Sequence, residues 1–291
     1  MERRFALATH PAILFFFFVF CAFRAPIYAD ALDGFISLKT FCSISNHAPQ
    51  LPQEFDPGQL HAGEIFYLRH SHAGFFQQVH PRISVPYILI THGNPCEFPG
   101  PFAAYLEDPK LIVWFAQNLP KEHSSKIQPI PLGISPNEKR AEILERERKK
   151  EWKKTIFLYA NFLTDTCPEE REPLMQRFIN EPFCVVKTRV GFEEYLQDLG
   201  SAHFVLCPRG VALDSFRTWE ALYMRAIPVV KSSSLDPIFE DLPVLIVQDW
   251  EEVNEAFLVA KLQEMGCRNY RLEKLTPAYW IEKINRSTYC R

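Results

Sequence analysis

Residues 203–237 hold the side chains whose types and spacing suit chemistry. Phe204-Val205-Leu206-Cys207 is a short apolar run of buried-strand type, stopped by Pro208-Arg209-Gly210. Asp214 or Ser215 then caps a helix that runs on to Met224. Ile227-Pro228-Val229-Val230-Lys231 follows as a second apolar strand, opening into Ser232-Ser233-Ser234. Strand, loop and helix N-terminus in that order make an anion site, because free N–H groups and the positive dipole end point the same way. Arg209 and Arg217 flank that end, and Glu220 follows Arg217 by one turn on roughly the same face. Arginines suit phosphate oxygens and a carboxylate suits a ribose diol, so the unit fits a nucleotide diphosphate. Alone, Arg217 and Glu220 would be a surface ion pair of small worth. The complete stretch favours the ligand set, with Gly210, Ser215, Lys231 and Ser232 beside it.

Strands alternating with helices must position this unit. Strand patterns fall at 155–160, 183–188 and 244–247, with helices near 169–179, 192–200, 251–264 and 276–285. That alternation predicts a doubly wound parallel sheet, whose ligands bind at the carboxyl ends of the strands, where Arg209, Gly210, Lys231 and Ser232 fall. Upstream, strand patterns at 64–70, 87–93, 111–115 and 127–134 predict a second parallel sheet, too brief for a full Rossmann domain. Between them residues 138–154 read as one charged helix with Glu142–Arg146 and Glu145–Lys149 pairs, a solvated connector in preference to a basic membrane contact. The expected division is 32–137, the 138–154 connector and 155–291.

The chain has 291 residues, room for one large or two small domains, and its 47% apolar content excludes a disordered protein. A net charge of −3 with no basic stripe of interleaved aromatics excludes a nucleic-acid footprint. Arg3 and Arg4 precede an apolar run over 12–23, closed by Arg24 with Ala29-Asp30-Ala31 beyond, the order of a secretory signal. Counted from Phe5 the stretch is 19 residues, so 1–31 reads as a signal peptide or a signal anchor with membrane association through 5–23. The expected location is the secretory lumen or a membrane, Golgi-like in a eukaryote, and secreted or membrane-associated in a bacterium. Past Cys21 the cysteines are odd in number and none forms a C-x-x-C pair, which argues against a zinc site. Cys207, in an apolar strand, is expected to be a buried free thiol.

Cys207-Pro208-Arg209-Gly210, the run from Asp214 to Tyr223 and Ile227-Pro228-Val229-Val230 resemble the donor-site core of exostosin-like glycosyltransferases (glycosyltransferase family 47 and relatives). The resemblance continues through Ser232-Ser233-Ser234-Leu235-Asp236-Pro237, Leu242-Pro243-Val244 and Asp249-Trp250, and is thin elsewhere. It implies a GT-B-like α/β fold: two Rossmann-like parallel-sheet domains facing a cleft, the N-terminal one trimmed and on the acceptor side. It implies that Glu220 holds the ribose hydroxyls, that Arg217 holds the pyrophosphate and that Gly210 lets the backbone approach. The implied activity is transfer of a sugar from a nucleotide-sugar donor, UDP-sugars preferred, to a glycan or glycoconjugate acceptor. Two departures stand out. Val211-Ala212 replaces a small flexible pair, and Arg225-Ala226 replaces a glycine-led pair at a helix end, where glycine suits a left-handed residue. They motivate an alternative, a catalytically silent GT-B-like protein that binds sugar or nucleotide.

Glycosyl transfer needs a bound diphosphate, stabilisation of its departing charge and often a base for the acceptor hydroxyl. The chain has no Asp-x-Asp pair to hold a divalent metal. Arg209, Arg217, the helix dipole and Lys231 would replace it, so no cofactor or metal is required, although a divalent ion stays admissible. His92, in Thr91-His92-Gly93-Asn94 at the end of an N-terminal strand, is the candidate base. The alternative for it is a loop histidine bonding to backbone. His70 and His72 are weaker candidates, and Asn118 is expected to hold its loop.

Overall fold

Both faces of the N-terminal strands are apolar, as in parallel sheets covered on each side. In the computed structural model, which describes residues 34–49, 55–69, 73–93 and 100–289, these strands are β1 (Ile65–Arg69), β2 (Tyr87–His92), β3 (Leu111–Ala116) and β4 (Ile127–Pro129). They pair in parallel in the order β1-β2-β3-β4, with Phe66 opposite Leu89 and Ile90 opposite Phe115. α1 (Leu38–Ser43) precedes them and α2 (Ala73–Val79) lies between β1 and β2. Alternation sends Tyr87, Leu89 and Trp114 to one core with Phe76, Phe102 and Leu106. Ile88, Ile90 and Phe115 point into a second core shared with the rest of the molecule.

The C-terminal sheet contains β5 (Ile156–Ala160), β6 (Cys184–Val186), β7 (Ala202–Leu206), β8 (Ile227–Lys231) and β9 (Leu245–Val247). All pairs are parallel and the order is β6-β5-β7-β8-β9. Its helices, after α3 (Glu138–Arg148), are α4 (Pro168–Phe178), α5 (Phe192–Ser201), α6 (Phe216–Tyr223), α7 (Asp236–Phe239), α8 (Glu255–Gly266) and α9 (Pro277–Tyr289). α4 and α8 cover one face through Leu174, Phe178, Leu258 and Leu262. α5, α6 and α9 cover the other through Leu199, Trp219 and Trp280, in the core that also takes Ile88 and Phe115. The protein is therefore α/β with two Rossmann-like parallel sheets, the GT-B-like class expected.

The chain after β4 approaches residues 36–37 closely at one glycine. Gly133 has φ +72°, and a Cβ there would lie 2.1 Å from the Ile36 carbonyl oxygen. Next to it Ile134 pairs with Ser37 in an isolated parallel bridge.

α3 differs from the expected 138–154 helix. It stops at Arg148, and its inward face carries Leu144 and a wholly buried Glu147. Arg146 at 3.0 Å and Lys150 at 2.8 Å neutralise Glu147. The Glu145–Lys149 pair forms at 2.8 Å, whereas Arg146 reaches Glu193 of α5 at 2.8 Å. The helix is thus packed, and only its outer face is a solvated connector.

The signal or anchor over 1–31, its apolar stretch 5–23, and His70, His72 and Asn94 lie outside the described residues. Among the described residues no helix is long and apolar enough to cross a membrane. Cys207 is a buried free thiol, and burial pushes it up to about 12.

A candidate anion site at the switch point of the C-terminal sheet

The strand order of the C-terminal sheet reverses between β5 and β7. In sheets wound this way the chains leaving two such strands diverge, and the crevice at their carboxyl ends is where ligands bind. Three arginines from three segments meet there. Arg217, in the first turn of α6, donates from Nε to Asn161 O just after β5 at 2.7 Å. Its guanidinium lies 5.5 Å from the Phe162 ring centroid, and its Nη1 is buried without a hydrogen-bond partner. Arg171 of α4 is buried and donates to Arg209 O and Leu163 O, both at 2.7 Å, and to Pro208 O at 3.4 Å. Burial and the neighbouring Arg217 charge push its guanidinium down to about 10. Arg209 donates from Nε to Gly210 O at 3.4 Å, and its own N–H bonds Glu170 at 3.3 Å. Among the described residues none of the three guanidinium groups forms an ion pair, although Glu169 stands near Arg209, Glu170 and Asp165 near Arg171, and Glu220 near Arg217.

Arg171 escapes a reading of the sequence because Glu169-Glu170-Arg171-Glu172 looks like a solvated helix face. The signal was its spacing: it precedes the buried Leu174 and Phe178 by three and seven residues, on their stripe. Gly210 leaves room for the same contact, since a Cβ there would stand 3.0 Å from Arg171 Nη2 and 3.3 Å from Thr166 Oγ1.

Ser215 is the N-cap of α6, but its side chain makes no capping bond and turns to Thr218 Oγ1 at 3.4 Å. Ser215 therefore leaves the positive end of α6 without a side-chain cap of its own. Asp214 faces the other way. Its Oδ2 accepts from Leu132 N–H and from Trp219 Nε1–H, both at 2.8 Å, and so joins the two halves. Burial pushes this carboxyl up to about 6 against the pull of those donors. Two more bonds seal the junction: Leu213 N–H to Asn118 Oδ1 at 3.0 Å, and Ser234 Oγ–H to Leu119 O at 2.5 Å. Asn118 holds a loop, although the loop is that of the other sheet.

The remaining expected site residues are dispersed. Glu220 is 4% exposed and accepts from Tyr195 O–H at 2.8 Å, so it is neither a surface partner of Arg217 nor open to the crevice. Burial raises its carboxyl, opposed by Tyr195 and by the Arg217 charge. Lys231 is exposed and pairs with Asp249 at 3.2 Å. Ser232 is spent on its own loop, donating from Oγ to Asp236 at 2.7 Å and from N–H to Val247 O at 2.8 Å. His92 is 1% exposed, bonds Pro131 O through Nε2 at 3.0 Å and lies 5.0 Å from the Phe41 ring. Burial pushes it down to about 4. This is the backbone-bonding histidine, out of reach of an acceptor hydroxyl, because β2 carries it into the sheet opposite Arg69. Arg225 takes the left-handed conformation that its place after α6 demands, with φ 60°. Ala226 N–H closes the turn on Ala221 O at 2.9 Å.

No known family model matches the chain, and no curated protein matches it in sequence. Among solved structures, a UDP-GlcNAc 2-epimerase from Methanocaldococcus jannaschii is similar at TM-score 0.39 and 12% identity, over 76% of this chain and 76% of that one. A GtfA/B complex is similar at TM-score 0.40 and 12% identity over 80% of this chain, which spans 59% of the length of that one.

Proposed function

We propose that the protein is an exostosin-like glycosyltransferase that takes a nucleotide sugar, UDP-sugars preferred, and passes the sugar to a glycan or glycoconjugate acceptor. The observation that supports this best is the group of arginines at a switch point: among the described residues none is in an ion pair, and Arg217 has a buried Nη1 left unpartnered. A buried donor without an acceptor is destabilising by about 1–3 kcal/mol, and a diphosphate oxygen would relieve it. In this reading Arg217, fixed by Asn161 and stacked near Phe162, presents its fork to the pyrophosphate as the sugar leaves. Arg209 and the open end of α6 add fixed positive charge where the leaving group gains negative charge. Arg171 is a positioning residue that ties the loop after β7 to the loop after β5. Glu220, held by Tyr195, acts on Arg217 from one turn behind it, and the ribose contact expected of it would require Tyr195 to let go. The signal or anchor expected over 1–31 would place the reaction in the secretory lumen or at a membrane.

A second reading, a silent binding protein, is favoured by two observations. His92 is buried, and the hydrogen bonds of Asn118 with Leu213, Leu119 with Ser234 and Leu132 with Asp214 close the acceptor side against the loops before α6 and after β8. A panel of UDP-sugars incubated with the protein and followed by mass spectrometry separates the readings. Release of UDP with loss of the donor supports the transferase. Binding of UDP with no turnover of any donor transfers the case to the silent protein, and failure to bind any nucleotide diphosphate refutes both.

A further inference from the structure

The guanidinium of Arg217 hangs on a carbonyl that lies one residue beyond the sheet. β5 ends at Ala160, whose carbonyl accepts from Lys187 N–H at 2.9 Å. Asn161 O, the next acceptor along the chain, takes Arg217 Nε–H at 2.7 Å. Alternate residues of an extended chain share a face, so Asn161 falls on the same side as Tyr159. Asn161 Nδ2–H donates to the Tyr159 hydroxyl oxygen at 2.8 Å, and Tyr159 O–H donates to Asp198 Oδ2 at 2.9 Å. Asp198 of α5 is paired in turn with Lys187, whose Nζ stands 2.8 Å from Oδ2 and 2.9 Å from Oδ1. Lys187 also reaches Glu194 at 3.1 Å. Tyr159 is wholly buried in the core that holds Leu196 and Leu199, and burial raises its phenol, so the hydroxyl keeps the proton it donates. An unbroken chain of hydrogen bonds thus runs from Lys187 through Asp198, Tyr159 and Asn161 to Arg217.

A guanidinium held through one nitrogen points its other two wherever its acceptor directs them. Asn161 is past the last strand residue, so its side-chain bond to Tyr159 does the restraining that a ladder would otherwise do. A buried hydroxyl and carboxylate cost desolvation that apolar side chains of the same size would not. What the polar chain adds is direction, because each member accepts or donates along a fixed line. We infer that Tyr159 and Asp198 are positioning residues for Arg217: they fix Asn161 and, through its carbonyl, the direction in which the guanidinium fork faces a diphosphate. The inference rests on the reading of Arg217 as a diphosphate ligand. Positioning of this kind strengthens binding by removing freedom that the ligand would otherwise have to freeze.

UDP titrated calorimetrically into the parent, Tyr159→Phe, Arg217→Lys and the double variant tests this. Asn161→Ala, alone and with Arg217→Lys, is a second probe of the same chain: it keeps the carbonyl under Arg217 and leaves the core intact. Tyr159→Phe and Asn161→Ala are each expected to bind UDP about threefold to tenfold more weakly than the parent, one neutral hydrogen bond being lost. In the Arg217→Lys background, where no Nε–H meets Asn161 O, the same changes should have no further effect. Full UDP affinity in Tyr159→Phe and Asn161→Ala, with Arg217→Lys weakened, overturns the positioning role and leaves the diphosphate reading standing. Weakening by one factor in both backgrounds is a general loosening of the sheet and also overturns it. UDP bound equally by the parent and Arg217→Lys, or by neither, refutes the diphosphate reading and this inference with it.

Discussion

Replacing Asp214 by Asn should change how the stability of this protein depends on pH, by an amount the structure sets. The Asp214 carboxyl is buried where the two halves meet and is pushed up from an ordinary 3.8 to about 6. Its folded form therefore holds a proton more tightly than its unfolded form. That contribution is fully present below 3.8 and is lost as pH rises through about 6, after which it stays level. At about 1.4 kcal/mol per pH unit, the loss across the window is about 3 kcal/mol. Asn keeps an oxygen for Leu132 N–H and Trp219 Nε1–H but does not titrate. Its amide would meet the Gln117 amide that now approaches the carboxylate, a fixed mismatch that does not vary with pH. Urea unfolding of parent and Asp214→Asn at about pH 3.5 and about pH 7.5 cancels the other carboxylates by subtraction. The Asn variant should gain about 3 kcal/mol relative to the parent between those values. A difference independent of pH would refute the raised carboxyl and, with it, a dry junction between the halves.

Gly133→Ala should lose about 3 kcal/mol or more in urea unfolding, from the left-handed backbone and from overlap with Ile36 O. Arg171→Met keeps an apolar stem but strands the carbonyls of Leu163, Pro208 and Arg209. It should lower stability by about 2–4 kcal/mol and weaken UDP binding, both measurable on the folded fraction. His92→Gln should leave donor turnover within about threefold of the parent while unfolding about 1–2 kcal/mol more easily; a loss of turnover alone would restore His92 as a base.

Much of the fold was legible as apolar runs of strand length, because parallel strands buried on both faces show no alternation and need none. The left-handed residue at 225 was implied by the resemblance, whose pattern leads that pair with glycine. What escaped were side chains whose surroundings come from distant segments. Asp214 looks like an N-cap in its own sequence, yet its partners include Leu132, which no local pattern supplies. Glu220 reads in the sequence as a ribose ligand, with a surface pair to Arg217 as the alternative, but Thr218 to Tyr223 are buried without a break because α6 is covered on every side. Arg171 and Glu147 were hidden by their charged neighbours, although the apolar stripes they share with Leu174 and Leu144 marked the inward face.

Titration of UDP into the parent and Arg217→Lys proteins, side by side in a calorimeter, bears on the arginine cluster without requiring the acceptor or the sugar to be known. A forked guanidinium fixed through Nε to Asn161 presents its remaining nitrogens to two oxygens, whereas lysine offers a point charge on a flexible stem. The lost contact should weaken UDP binding by about 1.5–3 kcal/mol, or about tenfold to a hundredfold, with the fold intact. UDP bound equally by both proteins, or by neither, would contradict diphosphate binding through Arg217.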